Sequence, residues 1–231
     1  MTLKLQDVTV IYPDKTKAVD NVSFTLNEGE NIALLGENGA GKTTLLLAIV
    51  GILELAKGAV EIGGIRLDKK TVNEVRKCIG LLFQNPDDQL FMPFIFDDVA
   101  FGCRNYGLTE EEAKTRVEET LATLGISRLG SRSSLRLSGG EKRMAAIASV
   151  LAMNPSVLML DEPTAFLDPK AKRILAETLK KLKLPLIIAT HDTAFITQVC
   201  NRVIVLKEGR IMADGDISIL DDAELLRNCG L

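Results

Sequence analysis

The 231-residue chain has no tryptophan, a single histidine (His191) and four cysteines (Cys78, Cys103, Cys200, Cys229) that lie far apart with no C-x-x-C pair. A lone histidine and scattered thiols supply neither a zinc site nor a disulfide framework, so the thiols read as buried or surface groups in a reducing compartment. Long apolar runs are also missing. The longest, such as Leu45 to Val50, fall well short of the ~20 residues a membrane span needs. Met1 to Val10 alternates apolar and polar residues instead of forming an apolar block, so no secretory leader is expected. Basic charge is not in excess. A formal net charge of -3 argues against a general nucleic-acid coat, though not against a local basic patch. No repeat, low-complexity tract or linker divides the chain. What remains is the composition of a soluble globular protein, long enough for one sizeable α/β domain with room for a small subdomain.

The densest chemistry lies in Gly36-Glu37-Asn38-Gly39-Ala40-Gly41-Lys42-Thr43, which fits G-x-x-x-x-G-K-[ST], the Walker A phosphate-binding loop. The run Ile32-Ala33-Leu34-Leu35 before it reads as a buried strand, and Thr44 to Ile52 reads as the helix after it. The glycines let the backbone wrap an anion with its N–H groups turned inward. The helix N-terminus adds partial positive charge, Lys42 adds a full one, and Thr43 can ligate Mg²⁺. This stretch implies binding of a nucleoside triphosphate. A dinucleotide fingerprint is excluded, because the glycines at 36, 39 and 41 do not follow G-x-G-x-x-G.

Around the loop, Leu3 to Ile11 alternates as a half-buried strand, Tyr12-Pro13-Asp14 breaks it, and Val19 to Leu26 reads as its antiparallel neighbour. Gly58 to Gly64 adds a short strand and turn, Val72 to Lys77 a short helix, and Ile79 to Phe83 another apolar strand. After Gln84, the turn Asn85-Pro86-Asp87-Asp88 opens a helical stretch to about Met153, with an apolar face at Val117, Leu121 and Leu124. Strands then resume at Val157 to Leu160, Leu186 to Ala189, Arg202 to Leu206 and Arg210 to Ala213, with helices at Lys170 to Lys183 and Thr193 to Val199. This alternation predicts a mostly parallel α/β core with an antiparallel β flank.

Two further stretches bear on the phosphate site. Val157 to Leu160 leads into Asp161-Glu162 at the carboxyl end of a buried strand, where ligands of open sheets sit. Asp161 can hold Mg²⁺ through water, and Glu162 can face the γ-phosphate and polarise an attacking water. In Leu137-Ser138-Gly139-Gly140-Glu141, Ser138 is a good N-cap and the glycines leave amides open to an anion, ahead of a helix from about Lys142 to Leu151.

Walker A, Gln84, Leu-Ser-Gly-Gly-Glu, Leu160-Asp161-Glu162-Pro163-Thr164, Leu167-Asp168 and Thr190-His191-Asp192 stand in the order seen in ATP-binding cassette (ABC) ATPases. The resemblance runs from about Leu3 to Ala213, and the signature together with a Walker pair is highly specific. It implies a P-loop NTPase core, residues 1–84 and 154–231, carrying an inserted α-helical subdomain over 85–153. It also implies ATP hydrolysis with Mg²⁺ held at Thr43, Gln84 and Asp161. Glu162, His191, Gln84 and Lys42 would be the catalytic set, with His191 the switch residue at the γ-phosphate. Tyr12 matches the aromatic that stacks on adenine, and Thr44 and Gly139 join the nucleotide contacts. Asp168 matches the D-loop residue at the subunit contact. In this family the signature of one subunit closes on the ATP of another, so Ser138 and Gly140 would serve a second copy, as homo- or heterodimer.

A finer resemblance is to the ATPases of energy-coupling-factor (ECF) importers, closest to the cobalt/nickel branch. It rests on Phe83 to Phe91, Asp97 to Gly102, Leu137 to Arg143 and the ending with Leu225-Leu226 and Gly230-Leu231. It implies a transmembrane coupling subunit, a membrane substrate-binding subunit, a place on the cytoplasmic face of the membrane and no nucleic acid. Gln89 to Phe91 would line the groove for a coupling helix, with Phe91, Met92, Phe94, Ile95 and Phe96 either partly exposed for it or packed into the helical subdomain. Phe166 departs from the pattern, since these proteins usually carry a small residue there. The chain also ends at Leu231, where many relatives continue into a dimerising segment. ABC transporters of another class are the alternative. DNA-repair members need a coiled-coil insertion that the interval from Gln84 to Leu137 cannot hold, and ribosome-acting members carry two cassettes.

Overall fold

The computed structural model describes residues 2–231. The chain opens with the antiparallel pair β1 (Leu3–Ile11) and β2 (Lys17–Leu26), then passes into β3 (Asn31–Leu35) and α1 (Lys42–Ile49). It continues through β4 (Lys57–Ile62), β5 (Ile65–Arg66), α2 (Val72–Cys78) and β6 (Ile79–Leu82). Three helices follow: α3 (Ile95–Asn105), α4 (Glu110–Thr123) and α5 (Gly139–Leu151). The second half is β7 (Val157–Asp161), α6 (Pro169–Lys181), β8 (Leu186–Thr190), α7 (Thr193–Val199), β9 (Arg202–Lys207), β10 (Arg210–Asp216) and α8 (Ala223–Asn228).

The strands make two sheets. A six-stranded sheet runs β10-β9-β3-β8-β7-β6, parallel throughout except for β10 at its edge. The antiparallel flank is a separate four-stranded sheet, β2-β1-β4-β5, which recruits the strand around Val60 as well as the N-terminal pair. The central strands explain why their sequences are apolar without a break. Ile32, Leu34, Val157, Met159, Ile187, Ala189, Ile204 and Leu206 enter one core with α1 and the four-stranded sheet. Their neighbours Ala33, Leu35, Leu158, Leu160, Ile188, Val203 and Val205 enter a second core beneath the helices. A period of two divides each strand between the cores, so both faces must be apolar. Each fully buried Leu or Ile contributes about 1.5–3 kcal/mol of transfer free energy.

Helix ends differ from the sequence expectation by a few residues. α1 stops at Ile49 because Gly51 takes a left-handed conformation at φ 66. α5 begins at Gly139, because Ser138 and Glu141 form a reciprocal capping box that starts the helix at once. The two glycines therefore sit in its first turn, where backbone amides have no partner within the helix. The predicted face of α4 does turn inward, with Val117, Leu121 and Leu124 all buried.

Parallel register carries the site. Leu35 pairs with Thr190, and Asp161 pairs with Ala189. The residues that follow β3, β7 and β8 are thus delivered to one end of the six-stranded sheet, the carboxyl end of its parallel strands.

Candidate nucleotide site

At that end, the turn from β3 into α1 wraps a hollow. Gly41 sits at φ 102, and a Cβ there would lie 2.4 Å from the carbonyl oxygen of Ala18. Only glycine allows this left-handed turn at so close an approach. Tyr12, Asn38, Gly39, Ala40, Gly41, Lys42, Thr43, Thr44, Gln84 and Glu162 line a cavity of about 610 Å³. The Tyr12 hydroxyl shares a 2.8 Å hydrogen bond with the Thr44 hydroxyl, which holds the ring beside the loop.

Lys42 donates to the carbonyl oxygens of Gly36 (2.6 Å) and Glu37 (3.1 Å) and lies 3.8 Å from Glu162 Oε1. Burial holds its pKa below the ordinary lysine value, against the pull of Glu162 and Asp161. The ammonium is a buried cation anchored by loop carbonyls, the arrangement an anion would complete.

Thr43 Oγ1 donates to Asp161 Oδ2 at 2.7 Å, while Asp161 Oδ1 is buried without a partner. Burial raises the Asp161 pKa, with the adjacent Glu162 acting in the same direction and Thr43, Lys42 and Arg143 opposing. A hydroxyl beside a carboxylate with a free buried oxygen is a hard donor set that fits a divalent cation such as Mg²⁺. Among the described residues no cluster of three or more His, Cys, Asp or Glu side chains could cage a metal. Such a cation would depend on phosphate oxygens for the rest of its shell, as Mg²⁺ commonly does.

Glu162 stands just past β7 with a left-handed backbone at φ 42. Its Oε2 accepts from the Thr190 hydroxyl at 3.0 Å, and its Oε1 lies 3.1 Å from His191 Nδ1. The carboxylate is buried yet lines the cavity, so its direction is set by β8. Thr190 is a site residue that motif reasoning missed. Its only sequence signal is its place before His191.

Gly36, Glu37, Asp161 and His191 do not line this cavity themselves but bond to the lining residues Lys42, Thr43 and Glu162, whereas Ser138, Gly139, Gly140 and Asp168 are not among the residues lining it. Ser138 Oγ accepts from the Glu141 N–H and caps α5, and Asp168 Oδ1 accepts from Ala171 N–H at 2.8 Å and caps α6. The two loops are neighbours, for a Cβ on Gly139 would lie 3.8 Å from the Phe166 carbonyl oxygen. Phe166 has φ 61 and is 96% exposed.

The apolar group after Gln89 divides between the two expectations. Phe91 and Phe94 are exposed, Met92 and Phe96 half-buried, and Ile95 buried. Phe91 meets Phe101, also exposed, edge-on with centroids 5.0 Å apart. Gln89 departs from its expected place in a groove. Its side chain turns inward and donates to Ala146 O and Ser149 Oγ.

A Gly-rich turn between a buried parallel strand and a helix, with a Thr–Asp pair and a second carboxylate where β7 ends, makes this a P-loop ATPase. Residues 19–165 match the model of the ABC transporter family. The chain is 43% identical to the energy-coupling factor transporter ATP-binding protein EcfA of Carboxydothermus hydrogenoformans, over 100% of this chain and 87% of that protein. It superposes with TM-score 0.85 on CbiO1 from Clostridium perfringens, part of the ABC transporter complex CbiONQ, at 38% identity over 98% of this chain and 93% of that one. An ATP-binding cassette solved as a dimer, in a post-hydrolysis state with ADP and Pi, matches with TM-score 0.82 at 29% identity, over 93% and 98% of the two chains. The chain belongs to the ABC transporter family, as an ATP-hydrolysing subunit of the energy-coupling-factor type.

Proposed function

We propose that this chain energises an importer of a transition-metal ion of the cobalt/nickel class, or of a vitamin, from the cytoplasmic face of the membrane. Among the described residues no helix is long and apolar enough to cross a membrane, so the translocation path would belong to partner subunits. The observation that carries the reading is the division of the nucleotide machinery. The phosphate-site residues line one cavity or, as Asp161 and His191 do, bond to residues that line it, whereas Ser138 and Asp168 bond only within their own helix caps. A second copy, identical or related, would bring its signature to this chain's ATP. The similar cassette solved as a dimer with ADP and Pi supports that arrangement.

The geometry supports the following roles. Lys42 and the loop amides hold the β- and γ-phosphates, and Tyr12 offers its ring to the base. Thr43, Asp161 and Gln84 would hold Mg²⁺, which neutralises charge on the phosphate oxygens when bound. Glu162, held by Thr190, orients the attacking water and accepts its proton, and His191 lies beside it to sense the γ-phosphate. Ser138 and Gly140 of the second copy add anion contacts only while that phosphate is present, so hydrolysis releases the dimer. Residues 85–153 act as a helical subdomain that answers the membrane subunit. The exposed Phe91, Phe94 and Phe101 supply its apolar contact.

The test is an affinity pull-down of the chain from detergent-solubilised native membranes, with identification of co-purifying proteins. A membrane-embedded coupling subunit together with a substrate-binding one is the expected result, and the latter defines the substrate. Recovery of ribosomes, DNA complexes or no membrane protein would overturn the import reading and leave the ATPase chemistry standing.

A further inference from the structure

Helix α5 carries one charge that the nucleotide chemistry leaves unused. Arg143 is followed by the buried Met144, Ala145, Ala146 and Ile147 and is itself 1% exposed. A buried guanidinium is unfavourable unless its N–H groups reach oxygens. Here Nη1 donates to the carbonyl of Phe83 at 2.9 Å and Nη2 to that of Gln84 at 2.8 Å, while Nε has no partner. The carboxylate acting on this cation is Asp161.

The same turn is strapped to α5 at two more points. Lys142 Nζ meets Asp87 Oδ1 at 2.6 Å. Gln89 Nε2 donates to Ala146 O at 2.9 Å and Ser149 Oγ at 2.8 Å, and Gln89 Oε1 accepts from the Phe83 N–H at 3.4 Å. Gln84 lines the nucleotide cavity. Its backbone is therefore fastened by the helix that Ser138 caps.

We propose that Arg143 is a positioning residue for Gln84. Its planar fork holds two successive carbonyls, fixing the backbone from which Gln84 reaches the phosphate site and tying that point to the signature helix. The inference rests on the reading that Gln84 works in ATP hydrolysis. A lysine ammonium is a point donor and cannot reproduce the fork, so Arg143→Lys keeps the charge and removes the geometry.

The experiment measures kcat and KM for ATP with Arg143→Lys, alone and combined with Gln84→Ala, and amide hydrogen exchange in the nucleotide-free protein. Alone, the substitution lowers kcat about tenfold, as loss of an outer-shell partner does, and moves KM for ATP by less than about twofold. With Gln84→Ala present, it changes kcat by less than about twofold, because the side chain it aims is gone. Exchange of residues 83–89 accelerates while that of 157–161 and 186–190 does not. Equal loss of kcat in both backgrounds would make Arg143 merely structural and overturn the proposal. So would unchanged kcat and exchange in the single variant. If Arg143→Lys does not fold, Lys142→Met breaks the strap to Asp87 and tests the same link. It should give a smaller loss of about threefold, again absent with Gln84→Ala. Equal turnover by wild type and Gln84→Ala would instead remove Gln84 from the reaction. That failure is recognisable before any Arg143 variant is made.

Discussion

The phosphate cavity and the signature face are built from the same kinds of part, glycines and capped helix starts, yet they are finished differently. In the cavity the charged and hydroxyl side chains are tied down: Lys42 to loop carbonyls, Thr43 to Asp161, Glu162 to Thr190 and His191. On the signature face, Ser138 and Asp168 are engaged only in capping their own helices, and Phe166 projects almost wholly into solvent. The first region is preorganised within one chain, so its contacts favour the reacting state without rearrangement. In the second, among the described residues, Ser138 and Asp168 bond only within their own helix caps. The second copy proposed above would complete this waiting half.

The largest effect that separates the regions is expected at Glu162. Glu162→Gln should retain ATP binding and the Thr190 contact but lower hydrolysis at least about a hundredfold, trapping an ATP-bound dimer. Phosphate release and size-exclusion chromatography with ATP check both halves, and wild-type turnover would remove Glu162 from the chemistry. A smaller effect is expected at Phe166. Left-handed backbone is unfavourable for a side-chain-bearing residue, so Phe166→Gly should stabilise the isolated chain by about 1 kcal/mol in urea unfolding. If the ring serves the subunit contact, the same variant should weaken the trapped dimer, and an unchanged dimer would exclude that role.

The smallest effect concerns acid. The Ser138 backbone N–H, followed by the Arg128 guanidinium at 2.7 Å, holds Glu141 down from the ordinary 4.5 to about 2. A carboxylate lowered in the folded state stabilises above its unfolded pKa and loses that contribution as pH falls through the folded one. The difference in unfolding midpoint between wild type and Glu141→Gln should therefore be constant above about pH 5 and shrink between about pH 4.5 and 2. A difference independent of pH would mean that Glu141 acts through helix geometry alone.

Much of this was legible before folding. Lys42, Thr43, Asp161, Glu162 and His191 could be named because each sits within a short motif at the end of an apolar strand, and parallel strands bring such ends together at one end of the sheet. Phe91 to Phe96 could not be divided into exposed and buried members, since they run from an irregular loop into the start of α3, where no single period governs burial. The bonds made by Arg143, Gln89 and Thr190 could not be read for another reason. Arg143 meets carbonyls 60 and 59 residues away, Gln89 meets groups 57 and 60 residues away, and Thr190 meets a carboxylate 28 residues away.

The amino-acid sequence by itself determined the Walker A turn, the apolar strands, the capped signature helix and the order of the motifs. Each depends on local backbone geometry or a period of two or 3.6 residues. Tertiary structure alone decided that the flank forms its own sheet, that Glu162 is aimed by β8, and that Arg143 binds the Gln84 turn to α5. Hydrogen bonds between distant segments exist only once the sheet register has placed their donors and acceptors within 3 Å or so of each other.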